Sequence, residues 1–280
     1  MSNVTRKIVA DSSADLLTME NFPFAAAPLK IMTAQKEYVD DADLDVPGMV
    51  MDLLEYDGRS STSCPNVDEY LAAFGDAEEV FCITITATLS GSYNAAVLAK
   101  EAYEEQHPGR RVFVLNSLTT GPEMALVMDK IVEWTKEGLD FDATVAAIEH
   151  YVKHTGLLFM LESMKNLANN GRVSPMAARI ASIVGIRVVG KASDQGDLEV
   201  LKKCRGEKKA LEFIAERMRE LGYKGGRVKI AHCLNENAGL SLKNRLQKEF
   251  HNIKVELYKC GGLCSFYAEK GGLLIGFEKG

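Results

Sequence analysis

Short apolar runs alternate with stretches whose apolar residues recur every three or four positions, and this alternation gives the first reading of the chain. Residues 6–10 read as a strand that Asp11-Ser12-Ser13 interrupts. Residues 25–32 read as a second strand passing through Pro28, while residues 47–54 and 67–74 carry helical spacing. Residues 80–86 form a short apolar strand, 92–106 a helix, and 112–115 another strand followed by Asn116-Ser117. Pro122 opens a long helix from the favoured first-turn position, and Gly138 closes it. Strands alternating with helices of this length predict a mainly parallel sheet with helices on both faces.

The second half has a different rhythm. Residues 142–153 predict a helix stopped by Gly156, residues 157–161 a strand and residues 174–184 a helix. The runs 187–191 and 198–203 flank Asp194-Gln195-Gly196-Asp197, a hairpin signal. A charged amphipathic helix over 207–221 ends at Gly222. A strand over 228–233, a helix over 238–250 and strands over 253–258 and 273–277 complete the pattern. Hairpins mixed with helices predict an α+β unit with a mixed sheet. The expectation is therefore an α/β chain of two domains, residues 1–152 and 153–280, with elements swapped across an approximate boundary.

Small polar residues gather where the strands of the first half end: Asp11-Ser12-Ser13, Ser60-Ser61-Thr62-Ser63, residues 86–92 and Asn116-Ser117. In an open parallel sheet those ends share one edge, where ligands bind. Each turn alone reads as a helix cap. Together they predict a rim. Ser90, Gly91 and Ser92 open a helix, so backbone N–H groups and hydroxyls there can meet an anion. No Lys or Arg lies in residues 60–63 or 86–92, and neither phosphate-binding glycine pattern occurs. The reading is a singly charged or neutral head group, such as a carboxylate. Arg172, in Asn169-Asn170-Gly171-Arg172-Val173-Ser174, is either a clamp on helix-end carbonyls or a guanidinium near that head group.

Composition narrows the function. A net charge of −6 over 280 residues argues against sequence-independent nucleic-acid binding. Every apolar run is far shorter than the roughly 20 residues of a membrane helix, so no membrane span is expected. The start of the chain lacks a secretory apolar region, and the six cysteines are scattered, which predicts a cytoplasmic protein with reduced thiols. No nucleophile elbow is present. His150 and His154 share a helix face without a third ligand, and Cys260 and Cys264 do not form a paired zinc framework. No metal and no catalytic residue is expected. Two function classes stay open on residues alone: a binding protein, or an enzyme acting on a small carboxylate or phosphorylated metabolite at the strand-end rim.

Seven segments in order, VADSSADL, TSCP, ITATLSGSYNAA, VLNSLTTG, LESMKNLANNGRVS, GKASDQGDLEVLKKCRGEKKAL and GGLLIGF, resemble those of the DegV family, from about residue 8 to residue 277. The resemblance implies a non-catalytic bacterial carrier of a long-chain fatty acid, with no cofactor beyond that ligand. Its acyl chain would lie in a hydrophobic tunnel of the N-terminal domain and its carboxyl at the domain interface. The family's head-group hydroxyls fall on Thr62, with Ser63 beside it, and on Ser90 with Gly91 and Ser92; its arginine falls on Arg172. A dihydroxyacetone-kinase-like fatty acid kinase is the implied partner. Where the family commonly carries histidine, this chain has Tyr267, and Glu269 stands for a glycine; Asn116 replaces an aspartate. Tyr267 can donate to a carboxyl but cannot carry an imidazolium charge. These departures touch the handover to a kinase more than lipid binding. Burying a palmitate-like tail of roughly 14 methylenes would contribute on the order of 11 kcal/mol before ordering costs. Leu29, Ile31, Met32, Leu53, Leu54 and Phe81 are candidate tunnel residues.

Overall fold

Strand β1 (Arg6–Asp11) shows how the first layer forms. Successive side chains of a strand face opposite ways, so Ile8 and Ala10 enter one core and Val9 the other. In β6 (Glu79–Thr84), Phe81 and Ile83 join the first core, and Val80 and Cys82 the second. Both faces of this sheet are therefore buried, as its unbroken apolar runs require. The sheet has the order β2-β1-β6-β7 and is parallel throughout, with β2 at Phe24–Ala27 and β7 at Arg111–Asn116. Helices α4 (Pro122–Lys136) and α5 (Phe141–Tyr151) cover one face; α2 (Val67–Phe74) and α3 (Ser92–Gln106) cover the other. The computed structural model describes residues 4–174 and 185–280, so the predicted helix over 174–184 lies, beyond Ser174, outside the described residues.

The second layer is a mixed six-stranded sheet of order β10-β9-β8-β13-β11-β12. Its members are β8 (Thr155–Leu161), β9 (Ile186–Ala192), β10 (Leu198–Arg205), β11 (Gly226–His232), β12 (Ile253–Lys259) and β13 (Leu273–Glu278). Only β11 and β12 pair in parallel; the hairpin and the other pairings are antiparallel. One face packs under helices α7 (Glu207–Glu220) and α8 (Glu236–Glu249), through Leu211, Ile214, Met218, Leu242 and Leu246.

Its other face receives elements from the first half. Residues 25–32 are not one strand. Pro28, which has no N–H for a ladder, separates β2 from β3 (Lys30–Met32), and the next N–H, of Leu29, donates to Ser12 Oγ at 3.0 Å. Strand β3 sits between β4 (Glu37–Val39) and β5 (Ser61–Ser63) in a small antiparallel sheet that the sequence reading missed. Ile31, Tyr38 and, from α1 (Val46–Glu55), Met49 and Val50 pack with Leu157, Phe159 and Leu161 of β8. Two short helices, α6 (Lys165–Asn169) and α9 (Gly262–Ala268), join that core and were also unforeseen. The last predicted turns of α5 are a 3₁₀ segment, Val152–His154.

Candidate functional site

The carboxyl-end turns of the parallel sheet are tied into one unit. The buried carboxylate of Asp11, closing β1, accepts from Ile85 N at 2.8 Å, from Ser92 Oγ at 2.5 Å and from Ser13 Oγ. Thr86 N donates to Thr119 O, Ala87 N to Asn116 Oδ1 and Gly121 N to Ser13 O. Asn116 thus serves as a turn anchor. The hairpin of the second sheet closes over this rim: Thr88 Oγ1 donates to Gly196 O at 2.8 Å. Gly196 has φ +85°, and a Cβ there would lie 2.1 Å from Thr86 Oγ1. The turn needs glycine for both reasons.

Between the strand-end turns of the parallel sheet and the mixed sheet lies a cavity of about 290 Å³. Six of the seven residues singled out from sequence line it: Thr62, Ser63, Ser90, Gly91, Arg172 and Tyr267. Thr62 Oγ1 and Tyr267 Oη are 2.7 Å apart, and the Arg172 guanidinium lies 5.8 Å from the Tyr267 ring centre, within cation–π range. Arg172 Nε donates to Leu89 O and Nη1 to Asn170 O, so the clamp on backbone carbonyls and the place beside the polar cluster are both realised. Burial raises the Tyr267 phenol, with the Thr62 bond and the Arg172 charge opposing it, so the group is a neutral donor. Ser92 is placed elsewhere. Fully buried, it bonds Asp11 and, at 2.6 Å, Tyr70 Oη, and so holds the turn that carries Ser90 and Gly91.

The rest of the lining is almost wholly apolar. Leu29, Ile85 and Leu89 come from the first half, and Leu157, Phe159, Leu161, Leu167, Leu198, Leu263 and Leu274 from the second. Leu157, Phe159 and Leu161 alternate along β8 and present one wall about 13 Å long; Leu274 pairs with Phe159 on β13. Of the candidate tunnel residues, only Leu29 lines the cavity. Ile31 and Leu53 pack in the neighbouring core, Phe81 lies under α4 and α5, and Leu54 is exposed. The apolar wall was invisible in the sequence because β8 is buried on both faces, so every residue in it is apolar or small.

Among the described residues no three His, Cys, Asp or Glu side chains are grouped to hold a metal ion, and no helix is long and apolar enough to cross a membrane. His150 and His154 stack at 4.5 Å, away from the cavity lining. Cys264 lines the cavity, but burial raises its thiol well above the usual range, away from thiolate reactivity.

Beneath the cavity, Asp15 is pushed up to about 8 by burial, with repulsion from Asp40 adding and the Gly261 N–H opposing. The Cys264 thiol opposes the shift as well, and among the described residues no N–H or O–H group donates to Asp15 Oδ2. The folded chain thus holds a proton that the unfolded chain releases above pH 3.8. The contribution of Asp15 to stability falls as pH rises from there to about 8, by up to about 1.4 kcal/mol per pH unit. Urea unfolding at pH 5, 6 and 7.5 should show this slope in the native protein and a shallower one in Asp15→Asn; equal slopes would exclude Asp15 as the source.

Fold and site define an α/β ligand-binding protein, with an apolar cavity between the mixed sheet and the strand-end turns of the parallel one, and hydroxyls and a guanidinium gathered beside it. The family model described as "Uncharacterised protein, DegV family" matches residues 5–279, and the chain belongs to that family. A DegV domain-containing protein of Streptococcus pneumoniae is 40% identical over 279 residues, covering 98% of this chain and 99% of its own length. A DegV family protein from Eubacterium eligens, solved loaded with heptadecanoic acid, superposes with a TM-score of 0.97 at 40% identity, covering 98% of this chain and 100% of its own. The Streptococcus pneumoniae Fatty Acid Kinase (Fak) B3 protein, solved loaded with linoleic acid, also gives 0.97 at 40% identity, over 99% and 100% of the two chains.

Proposed function

We propose that the protein is a non-catalytic carrier of a long-chain fatty acid, the tail in the cavity against Leu157, Phe159, Leu161 and Leu274 and the carboxyl at Thr62, Ser63, Ser90 and Tyr267. The observation that carries this reading is the chemical asymmetry of the cavity lining: a leucine-rich wall with one cluster of hydroxyls and a guanidinium. A small carboxylate or phosphorylated metabolite would leave that wall against water, which disfavours the enzyme reading. The two lipid-loaded structures at 40% identity support the carrier. The naming of one of them as a fatty acid kinase component supports a kinase as partner. The division into 1–152 and 153–280 is supported by the change of sheet between α5 and β8, with residues 30–63 swapped onto the second body.

Mass spectrometry of the purified protein, native and after organic extraction, tests this directly. A stoichiometric fatty acid is expected in both; a protein that carries none and takes up none contradicts the carrier. Thr62→Ala and Ser90→Ala should each weaken uptake about 3- to 10-fold, the worth of one hydrogen bond. Unchanged affinity in both would move the carboxyl elsewhere.

A further inference from the structure

Three consecutive backbone N–H groups at the start of α9 end on the carboxyl oxygens of two buried aspartates from the first forty residues. Gly261 N donates to Asp15 Oδ1 at 2.8 Å, Gly262 N to Asp40 Oδ1 at 2.6 Å and Leu263 N to Asp40 Oδ2 at 2.9 Å. Asp40 is fully buried directly after β4, where its own N–H donates to Leu29 O. The approach is close enough to exclude a side chain: a Cβ on Gly262 would lie 2.6 Å from both Asp40 Oδ1 and Leu44 Cδ2. Helix α9 is two turns long, and Leu263, Cys264, Tyr267 and Ala268 of it all line the cavity. Leu263 and Tyr267 stand one turn apart on one face. Fixing the first residue of so short a helix therefore fixes where the Tyr267 hydroxyl meets Thr62.

We propose that Asp40, with Asp15 beside it, is a positioning residue for the head-group site, setting the start of α9 so that Tyr267 reaches Thr62 and the ligand carboxyl. This rests on the carrier reading above. The two aspartates come from the loops after β1 and β4, and the helix from the segment between β12 and β13, so the site is assembled across the two halves of the chain. Each acceptor replaces water for a helix N–H that no side chain of the helix's own N-terminal turn caps.

The test is a double-mutant cycle on delipidated protein titrated with linoleic acid. Tyr267→Phe and Asp40→Asn should each weaken binding about tenfold, and the double variant should bind as Tyr267→Phe does, within about twofold. A merely structural Asp40 would instead give multiplied losses, about a hundredfold together, and that result overturns the proposal, as does native affinity in Asp40→Asn. If linoleic acid binds and Tyr267→Phe binds it as tightly as the native protein, the head-group assignment to Tyr267 fails and this inference with it. Should Asp40→Asn not fold, Gly261→Ala takes its place. Its Cβ would stand 3.1 Å from Asp15 Oδ1, displacing the helix start by tenths of an ångström, and the same non-additivity with Tyr267→Phe is expected.

Discussion

Octanoic acid is expected to bind roughly ten-thousandfold more weakly than hexadecanoic acid. In the proposed binding mode both acids would present the same carboxyl to Thr62, Ser90 and Tyr267, so the polar end of the site would contribute equally to the two. The difference is eight methylenes, each worth about 0.8 kcal/mol when buried, or about 6 kcal/mol in all before the entropy of holding the longer chain is subtracted. The cavity wall consists of side chains that hydrate poorly, with Leu157, Phe159 and Leu161 running along it. Calorimetric titration of delipidated protein with acids of eight, ten, twelve, fourteen and sixteen carbons measures the slope. A steady gain per carbon that stops at one length would also give the depth of the cavity. An affinity independent of chain length would place the tail in solvent and leave only a carboxylate site.

Asp11→Ala should be the most destabilising single substitution on the rim, at about 3–6 kcal/mol. It removes the acceptor of three buried donors at once, Ile85 N, Ser92 Oγ and Ser13 Oγ, and each orphaned group costs about 1–3 kcal/mol. Burial already pushes the Asp11 carboxyl upward against these bonds, so the site accepts a neutral acceptor more readily than none. Asp11→Asn keeps one carbonyl oxygen and should lose well under half as much. Urea unfolding of the three proteins measures the order. An Asn variant as unstable as the Ala variant would mean that the charge, not the acceptor, holds the turns together.

How much of this was legible follows from which signals are local. The parallel sheet could be read because each strand is a continuous apolar run bounded by polar turns, and its helices have caps of known type, such as the Asn66–Glu69 capping box of α2. The rim could be read because hydroxyls follow each strand. The small sheet could not: Ser61-Thr62-Ser63 carries no apolar alternation and is a strand only because Lys30–Met32 lies beside it. Residues 25–32 read as one strand passing through Pro28, whereas the proline ends one sheet and another begins after it. Helix α9 begins in Cys260-Gly261-Gly262, a sequence that reads as a stop, and forms because Asp15 and Asp40 supply the acceptors. Arg172 and Tyr267, 95 positions apart, came together in advance through the family resemblance; their own neighbourhoods show a helix-end turn and an unremarkable tyrosine. Ser92 was grouped with Ser90 through the helix-opening turn and the family segment; in the structure its hydroxyl turns to Asp11 and Tyr70.

The pairing of Leu274 with Phe159 also has a consequence for synthesis on the ribosome. Strand β13 lies between β8 and β11 in the middle of its sheet, and its partner β8 precedes it by more than a hundred residues. Strands β8 and β11 therefore leave the exit tunnel with a gap between them that nothing yet made can fill. A nascent chain in this state exposes the leucines that will later line the cavity, together with unpaired strand edges, which is the condition chaperones recognise. The wall is complete only once residue 274 has emerged, so the whole cavity exists only after nearly the entire chain has been made.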